Sequence, residues 1–184
     1  METWGEALRL MKYFPMFVDL VDRPCLVVGG GSAAVAKARL LIEVGARVTL
    51  ISESPNEEAG VLADQDALTV RRRAFKEDDI KKTTLVIVAS GNADVDQEVS
   101  KIARAFGIPV NVVDQLNLSN FLVPAIIDRH PLQIGISSGG TAPSLSSRIR
   151  HQIEMLLPSR IGSLAEFSRD HRITIKQLLP DSSS

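Results

Sequence analysis

Cysteine, aromatic residues and net charge are all scarce in this chain of 184 residues. The single cysteine, Cys25, cannot form an intrachain disulfide or supply a Cys-rich zinc or iron-sulfur site, which points to a reducing, cytoplasmic setting. Lys and Arg total 21 against 22 Asp and Glu. The formal charge of -1 therefore gives no global field for nucleic acid, and any anion site must be local. No apolar run approaches the roughly 18 residues of a membrane span. The stretch from Phe14 to Leu20 is interrupted by Pro15 and Asp19 and lacks a small-residue cleavage site, so it makes a poor signal peptide. What is present is 45% hydrophobic positions, enough for one domain and a modest appendage. The expectation is a soluble cytoplasmic protein without a nucleic-acid or membrane partner.

Strand, turn and helix alternate along most of the chain. Cys25-Leu26-Val27-Val28 is a continuous apolar run of the kind buried on both faces of a parallel sheet. From Ser32 to Val44, apolar Ala33, Ala36, Leu40, Leu41 and Val44 recur near helical spacing, and Gly45 stops the helix. Further strands are expected at Arg47 to Ile51, Ala67 to Val70, Leu85 to Ala89 and Ile108 to Val113. A second helix is expected from Asp94 to Phe106, capped by Gly107. Arg71 to Lys82 reads as solvated surface with a short connecting helix. This alternation predicts an α/β fold, a Rossmann-type doubly wound parallel sheet. After Asp114 the pattern changes. Phe121 to Ile127 and Leu132 to Ile136 read as added strands separated by polar Asp128-Arg129-His130-Pro131, and the chain from Ser144 reads as helix broken at Pro158. The expected division is a nucleotide-binding domain over 12–120 and a small strand-plus-helix dimerisation and substrate-pocket region over 121–184. The helical tail has little core of its own, which favours packing against a second copy. Asp181 to Ser184 reads as disordered.

Gly29-Gly30-Gly31-Ser32-Ala33-Ala34 fits G-x-G-x-x-A between an apolar strand and an amphipathic helix. In that context the first glycine permits a tight turn and Gly31 admits a pyrophosphate. Ala34 allows close helix-strand packing. Ser52 and Glu53 end the second strand, where an acidic side chain can accept hydrogen bonds from an adenosine ribose. No Arg or Lys occurs between Ser52 and Ala59, so NAD is expected rather than NADP. Ser90, after the fourth strand, and Asn111, in the fifth, complete the expected cofactor set.

Several dehydrogenase classes do not fit. The only tyrosine, Tyr13, precedes the first strand and cannot join a short-chain dehydrogenase Tyr-Lys pair. One cysteine cannot build the zinc site of an alcohol dehydrogenase, and 184 residues cannot hold the second domain of a large 2-hydroxy-acid dehydrogenase. Asp114 remains a candidate acid or base, at the carboxyl end of the fifth strand where open sheets bind ligands. A helix cap or loop turn is its ordinary alternative. His130 and His151 lack a carboxylate cluster and read as surface residues or as residues behind a site rather than iron ligands, and Cys25 as a buried residue of the first strand.

Taken together, Asp22 to Gly31, Ala36 to Leu41, Asn111-Val112-Val113-Asp114, Pro124 to Arg129 and Ser137 to Pro143 resemble the siroheme synthase N-terminal family, over about Tyr13 to Leu157. That family contains precorrin-2 dehydrogenases, some of which are also sirohydrochlorin ferrochelatases. The resemblance implies NAD-dependent oxidation of precorrin-2 to sirohydrochlorin, with insertion of ferrous iron as an additional activity in some members. It maps the family's catalytic aspartate onto Asp114, which would take a proton as hydride leaves the macrocycle, and would hold iron only transiently in chelation. No stable metal site is expected. A carboxylate-rich tetrapyrrole calls for hydroxyls, backbone N–H groups and guanidinium groups. Ser137, Ser138, Gly139, Gly140 and Thr141, together with Pro124, Arg129 and Arg148, form the expected substrate set, and the expected assembly is a homodimer. Arg150 could supply a guanidinium for the same role. The competing reading is a non-catalytic NAD-sensing module acting through its helical tail.

Overall fold

The computed structural model describes residues 12–63, 68–158 and 160–171. The expected disordered end, Asp181 to Ser184, and the first residue of the expected third strand, Ala67, lie outside them. The chain divides into two compact units between Leu122 and Val123.

The first unit is a five-stranded parallel sheet built from β1 (Pro24–Val28), β2 (Arg47–Ser52), β3 (Leu68–Arg72), β4 (Leu85–Val88) and β5 (Val110–Val112), in the order β3-β2-β1-β4-β5. The chain first winds outward from β1 to β3, then crosses back to place β4 on the other side of β1. Ligands of open sheets bind at such a switch point, beyond the carboxyl ends of the strands. All four residues of β4 are buried, as are Cys25 to Val28 of β1. Burial on both faces explains why these strands read as unbroken apolar runs.

Helix α1 (Ser32–Glu43) buries Ala34, Val35, Ala38 and Leu41. Its inner face is therefore rotated from the expected one, and Ala33 and Ala36 are exposed. Gly45 ends the helix at φ 80°, with its N–H donating to Ile42 O and that of Ala46 to Leu41 O. This is the paired bonding of a left-handed glycine cap. Gly107 caps α3 (Ala93–Ala105) the same way, at φ 68° with bonds to Arg104 O and from Ile108 N to Ala103 O.

Two local expectations need correction, and one helix adds to the expected order. That helix, α2 (Glu57–Ala63), occupies a stretch to which the sequence reading assigned no element. It is too short to show a periodic signal and contains Gly60, but Asn56 Oδ1 accepts from Ala59 N–H at its start. Strand β3 continues through Arg71 and Arg72, which the sequence placed in a solvated connection. As an edge strand, β3 tolerates these charges. Strand β5 is shorter than Ile108 to Val113, because Ile108 N–H is engaged in the α3 cap and Pro109 has no N–H to offer.

The second unit carries an antiparallel pair, β6 (Ala125–Arg129) and β7 (Leu132–Ile136), followed by α4 (Pro143–Leu156) and α5 (Ile161–Asp170). Asp128 and Arg129, expected between the strands, belong to β6 and pair with Gln133 and Leu132. Their polarity is compatible with a strand because β6 alternates, with Ile127 buried between exposed Ile126 and Asp128. Gly162 lets α5 approach the hairpin: a Cβ there would collide with His130 O and lie 2.8 Å from Arg129 O. Leu145, Met155, Leu156, Leu164 and Phe167 are exposed on the two helices.

Candidate functional site

At the carboxyl ends of β1, β2, β3 and β4 lies a cleft of about 390 Å3 lined by Gly29, Gly30, Gly31, Ser52, Glu53 and Ser90, among others. Gly29 adopts φ 136°, and a Cβ there would strike Ala89 O. A Cβ on Gly30 would strike Ser52 Oγ and come within 2.5 Å of Ser54 O and 2.9 Å of Pro55 Cα. These two glycines let the β1 turn nest against the loops after β4 and β2. Gly31 differs, because a Cβ there would meet nothing within 4 Å. It is the N-cap of α1 and provides no side-chain cap, and the first turn of α1 contains no acidic residue. Open space before uncapped helical N–H groups is a setting that favours an anion. The residues present thus fit a dinucleotide.

Ser32 and Ala33 are exposed at the start of α1, whereas Ala34 is fully buried against the sheet. Ser52 Oγ accepts from Ser54 N–H at 3.2 Å, and Glu53 stands exposed on the wall. Asn111 departs from the expected cofactor set. It is buried, its Nδ2 donates to Phe121 O at 3.1 Å, and it does not line the cleft.

Arg73, which no window around Ser52 could reveal, also lines the cleft. Parallel β2 and β3 pair Ser52 with Arg72, so the residues that follow them, Glu53 and Arg73, come to the same wall. The absence of Arg or Lys between Ser52 and Ala59 therefore does not leave the cleft without a cation. This guanidinium is already engaged: it donates to Asp79 Oδ2 at 2.7 Å, to Asp79 Oδ1 at 2.5 Å and to Ala74 O at 2.9 Å. Its hydrogen bonds hold the Asp79 carboxyl below the ordinary carboxylate range.

Asp114 is exposed in the turn directly after β5 and adopts φ 61°, a left-handed backbone that L-residues other than Asn and Asp rarely accept. Gln115 N–H donates to Val112 O at 3.1 Å across this turn. β5 is an edge strand, and the following loop satisfies its free groups. Asn120 Oδ1 accepts from Val110 N–H at 2.7 Å and Ser119 Oγ accepts from Val112 N–H at 2.9 Å, while the Ser119 hydroxyl also lies 2.9 Å from Gln115 O. The turn carrying Asp114 is thus fastened to the sheet from beneath. Such a conformation persists where its surroundings over-determine it, and it marks candidate functional positions.

The expected substrate residues all belong to the second unit. Gly139 and Gly140 have φ 67° and 80°. Ser137 Oγ accepts from Gly139 N–H at 3.1 Å, Ser138 Oγ from Ala142 N–H at 3.1 Å, and Thr141 Oγ1 donates to Ser138 O at 2.7 Å. The loop is therefore a hydrogen-bonded turn leading into α4. Arg129 Nη1 donates to Asp128 O, Arg148 is exposed, and Pro124 packs 3.3 Å from where a Cβ on Gly135 would lie. His130 and His151 are exposed, and among the described residues no group of three or more His, Cys, Asp or Glu is placed to hold a metal ion. No described helix is long and apolar enough to cross a membrane.

Residues 16–125 match the sequence pattern of the family described as "Putative NAD(P)-binding", and residues 129–156 match "Sirohaem biosynthesis protein central". The siroheme synthase of Methylococcus capsulatus is 42% identical over 171 residues, which is 93% of this chain and 36% of that protein. The siroheme synthase of Thioalkalivibrio sulfidiphilus is 40% identical over 93% of this chain and 35% of its own length. The chain thus spans about a third of the length of these curated relatives. Among solved structures, "SirC, precorrin-2 dehydrogenase" superposes with a TM-score of 0.71 at 24% identity, covering 89% of this chain and 80% of that one, which shows a shared fold. The chain belongs to this NAD(P)-binding family and is a homologue of the siroheme synthases.

Proposed function

We propose that this chain oxidises precorrin-2 to sirohydrochlorin with NAD, using Asp114 as the proton acceptor. The observation that carries this reading is an exposed carboxylate held in a left-handed turn at the carboxyl edge of the sheet whose glycine cleft fits a dinucleotide. Gly29 and Gly30 shape the cradle, Gly31 leaves room for a pyrophosphate at the α1 N-terminus, and Ser32 and Ala33 flank it. Glu53 would accept from the adenosine ribose, with Ser52 and Ser90 on the same walls. When bound, the nicotinamide supplies a hydride acceptor. Loss of a hydride from a ring carbon leaves a proton to be removed, and Asp114 takes it.

Glu53 on the wall, and an Arg73 whose charge is committed to Asp79, support NAD over NADP. In the second unit, the Ser137–Thr141 turn with Arg129 and Arg148 offers donors suited to substrate carboxylates. Asn111 would act from beneath the site, through the backbone of Phe121. The exposed Leu145, Met155, Leu156, Leu164 and Phe167 support a homodimer in which a second copy covers these helices. Light scattering that finds a monomer at assay concentrations would remove that assembly.

The test is anaerobic incubation with precorrin-2 and NAD, followed in the ultraviolet and visible range, with ferrous ion added afterwards. Growth of the sirohydrochlorin spectrum supports the dehydrogenase. Iron insertion faster than in the protein-free control supports a chelatase, with iron as substrate and its hold at Asp114 transient. Measurable NAD binding without oxidation favours an NAD-sensing module instead.

A further inference from the structure

Helix α3 turns a carboxylate inward. Val99, Ser100 and Ala103 share the buried face of this helix with Asp96, which is only 5% exposed. Ser100 is accounted for by its hydrogen bond to Leu118 O at 2.6 Å. Asp96 has a more specific pair of partners. Its Oδ1 accepts from Ser90 Oγ at 2.6 Å and its Oδ2 from Gln115 Nε2 at 2.8 Å. Ser90 lines the cleft after β4, and Gln115 directly follows Asp114 after β5.

We infer that Asp96 is a positioning residue that locks the left-handed Asp114 turn to the Ser90 wall of the cofactor cleft. The inference rests on the proposed dehydrogenase reading for its effect on turnover, but its geometry is independent of that reading. A buried carboxylate costs free energy unless its oxygens are bonded, so both bonds are retained while the helix stays packed. The two partners depend on it unequally. Ser90 Oγ also lies 3.1 Å from Asn92 O and accepts from Asn92 N–H at 3.0 Å, so it keeps its place without Asp96. The Gln115 side chain is tied to α3 through Asp96. The Gln115 backbone is also held, to Val112 O and the Ser119 hydroxyl, so loss of Asp96 should free the Gln115 side chain beside Asp114 more than it disturbs Ser90 on the cofactor side.

The test compares Asp96→Leu, Asp96→Asn and Gln115→Leu with the unaltered chain. Readouts are kcat and KM for precorrin-2, the equilibrium Kd for NAD, and the NAD-induced shift of the Gln115 backbone amide in a nitrogen-proton NMR spectrum. Asp96→Leu should lower kcat by about tenfold or more, leave the NAD Kd within about threefold, and abolish the shift at Gln115. Asp96→Asn, which can still bond both partners after reorientation, should recover kcat to within about threefold and restore the shift. Gln115→Leu should reproduce the loss in kcat, and it carries the comparison if Asp96→Leu does not fold.

A kcat unchanged in both leucine variants, a parallel loss of kcat and NAD affinity, or an Asp96→Asn variant as impaired as Asp96→Leu would overturn the inference. An Asp114→Asn control separates the two ideas. If that control retains full turnover, the proton-acceptor reading fails, and the positioning role stands or falls on the Gln115 shift.

Discussion

Arg73 grips both carboxylate oxygens of Asp79, at 2.7 Å and 2.5 Å, while forming part of the same cleft wall as Glu53. A cation suited to a ribose phosphate is therefore present but neutralised within the protein. Asp79→Asn should free the Arg73 charge and shift the ratio of kcat/KM for NAD over NADP toward NADP by about tenfold. Steady-state kinetics with both cofactors check this. An unchanged ratio would mean that Arg73 does not reach the adenosine end.

The glycine turn yields a contrast between neighbouring positions. Gly31→Ala places its methyl in open space, so stability should change by no more than about 1 kcal/mol, while NAD binding weakens by about tenfold. Gly30→Ala pushes a methyl into the backbone of Ser54 and Pro55 and should cost about 1–3 kcal/mol of stability. Thermal unfolding and NAD titration of the two variants provide the comparison. Equal losses of stability would show that the turn does not have the described shape.

Apart from the short α2, the strand-helix order of the sheet, the glycine turn and the glycine caps were legible in the sequence because each follows from local periodicity or backbone freedom. Arg73 was not legible. It reaches the Glu53 wall through the parallel register of β2 and β3, a long-range relation that no short window contains. Asp96 left a faint signal, a carboxylate three residues before Val99 and seven before Ala103 on the inward face of a helix. Its meaning emerged only when α3 packed beside the turns after β4 and β5. The rotation of α1 toward Ala34 and Val35 shows the limit of periodicity when half of a helix's apolar positions are alanine.

Opposite pH responses are expected from two groups, the buried Cys25 and the half-buried Asp79. Burial on β1 pushes the Cys25 thiol from an ordinary 9.0 up to about 11. Between those values the folded chain retains a proton that the unfolded chain releases, so this contribution to stability is present below pH 9.0 and is lost as pH rises toward 11. Cys25→Ala should flatten that part of the decline in denaturant unfolding. Asp79, lowered by Arg73, contributes stability above the ordinary aspartate range, and loses it as pH falls through the folded value. Asp79→Asn should remove this acid-side component. A pH profile unchanged in either variant would contradict the corresponding assignment.

The most direct test of the account is anaerobic turnover of precorrin-2 with NAD by the unaltered chain and by Asp114→Asn, measured side by side. Asn accepts the left-handed backbone at φ 61°, so the variant should fold with undiminished thermal stability and bind NAD normally. The account predicts sirohydrochlorin formation by the unaltered chain and a rate about 100-fold lower in the variant. Equal rates, or no oxidation by the unaltered chain despite NAD binding, would contradict it.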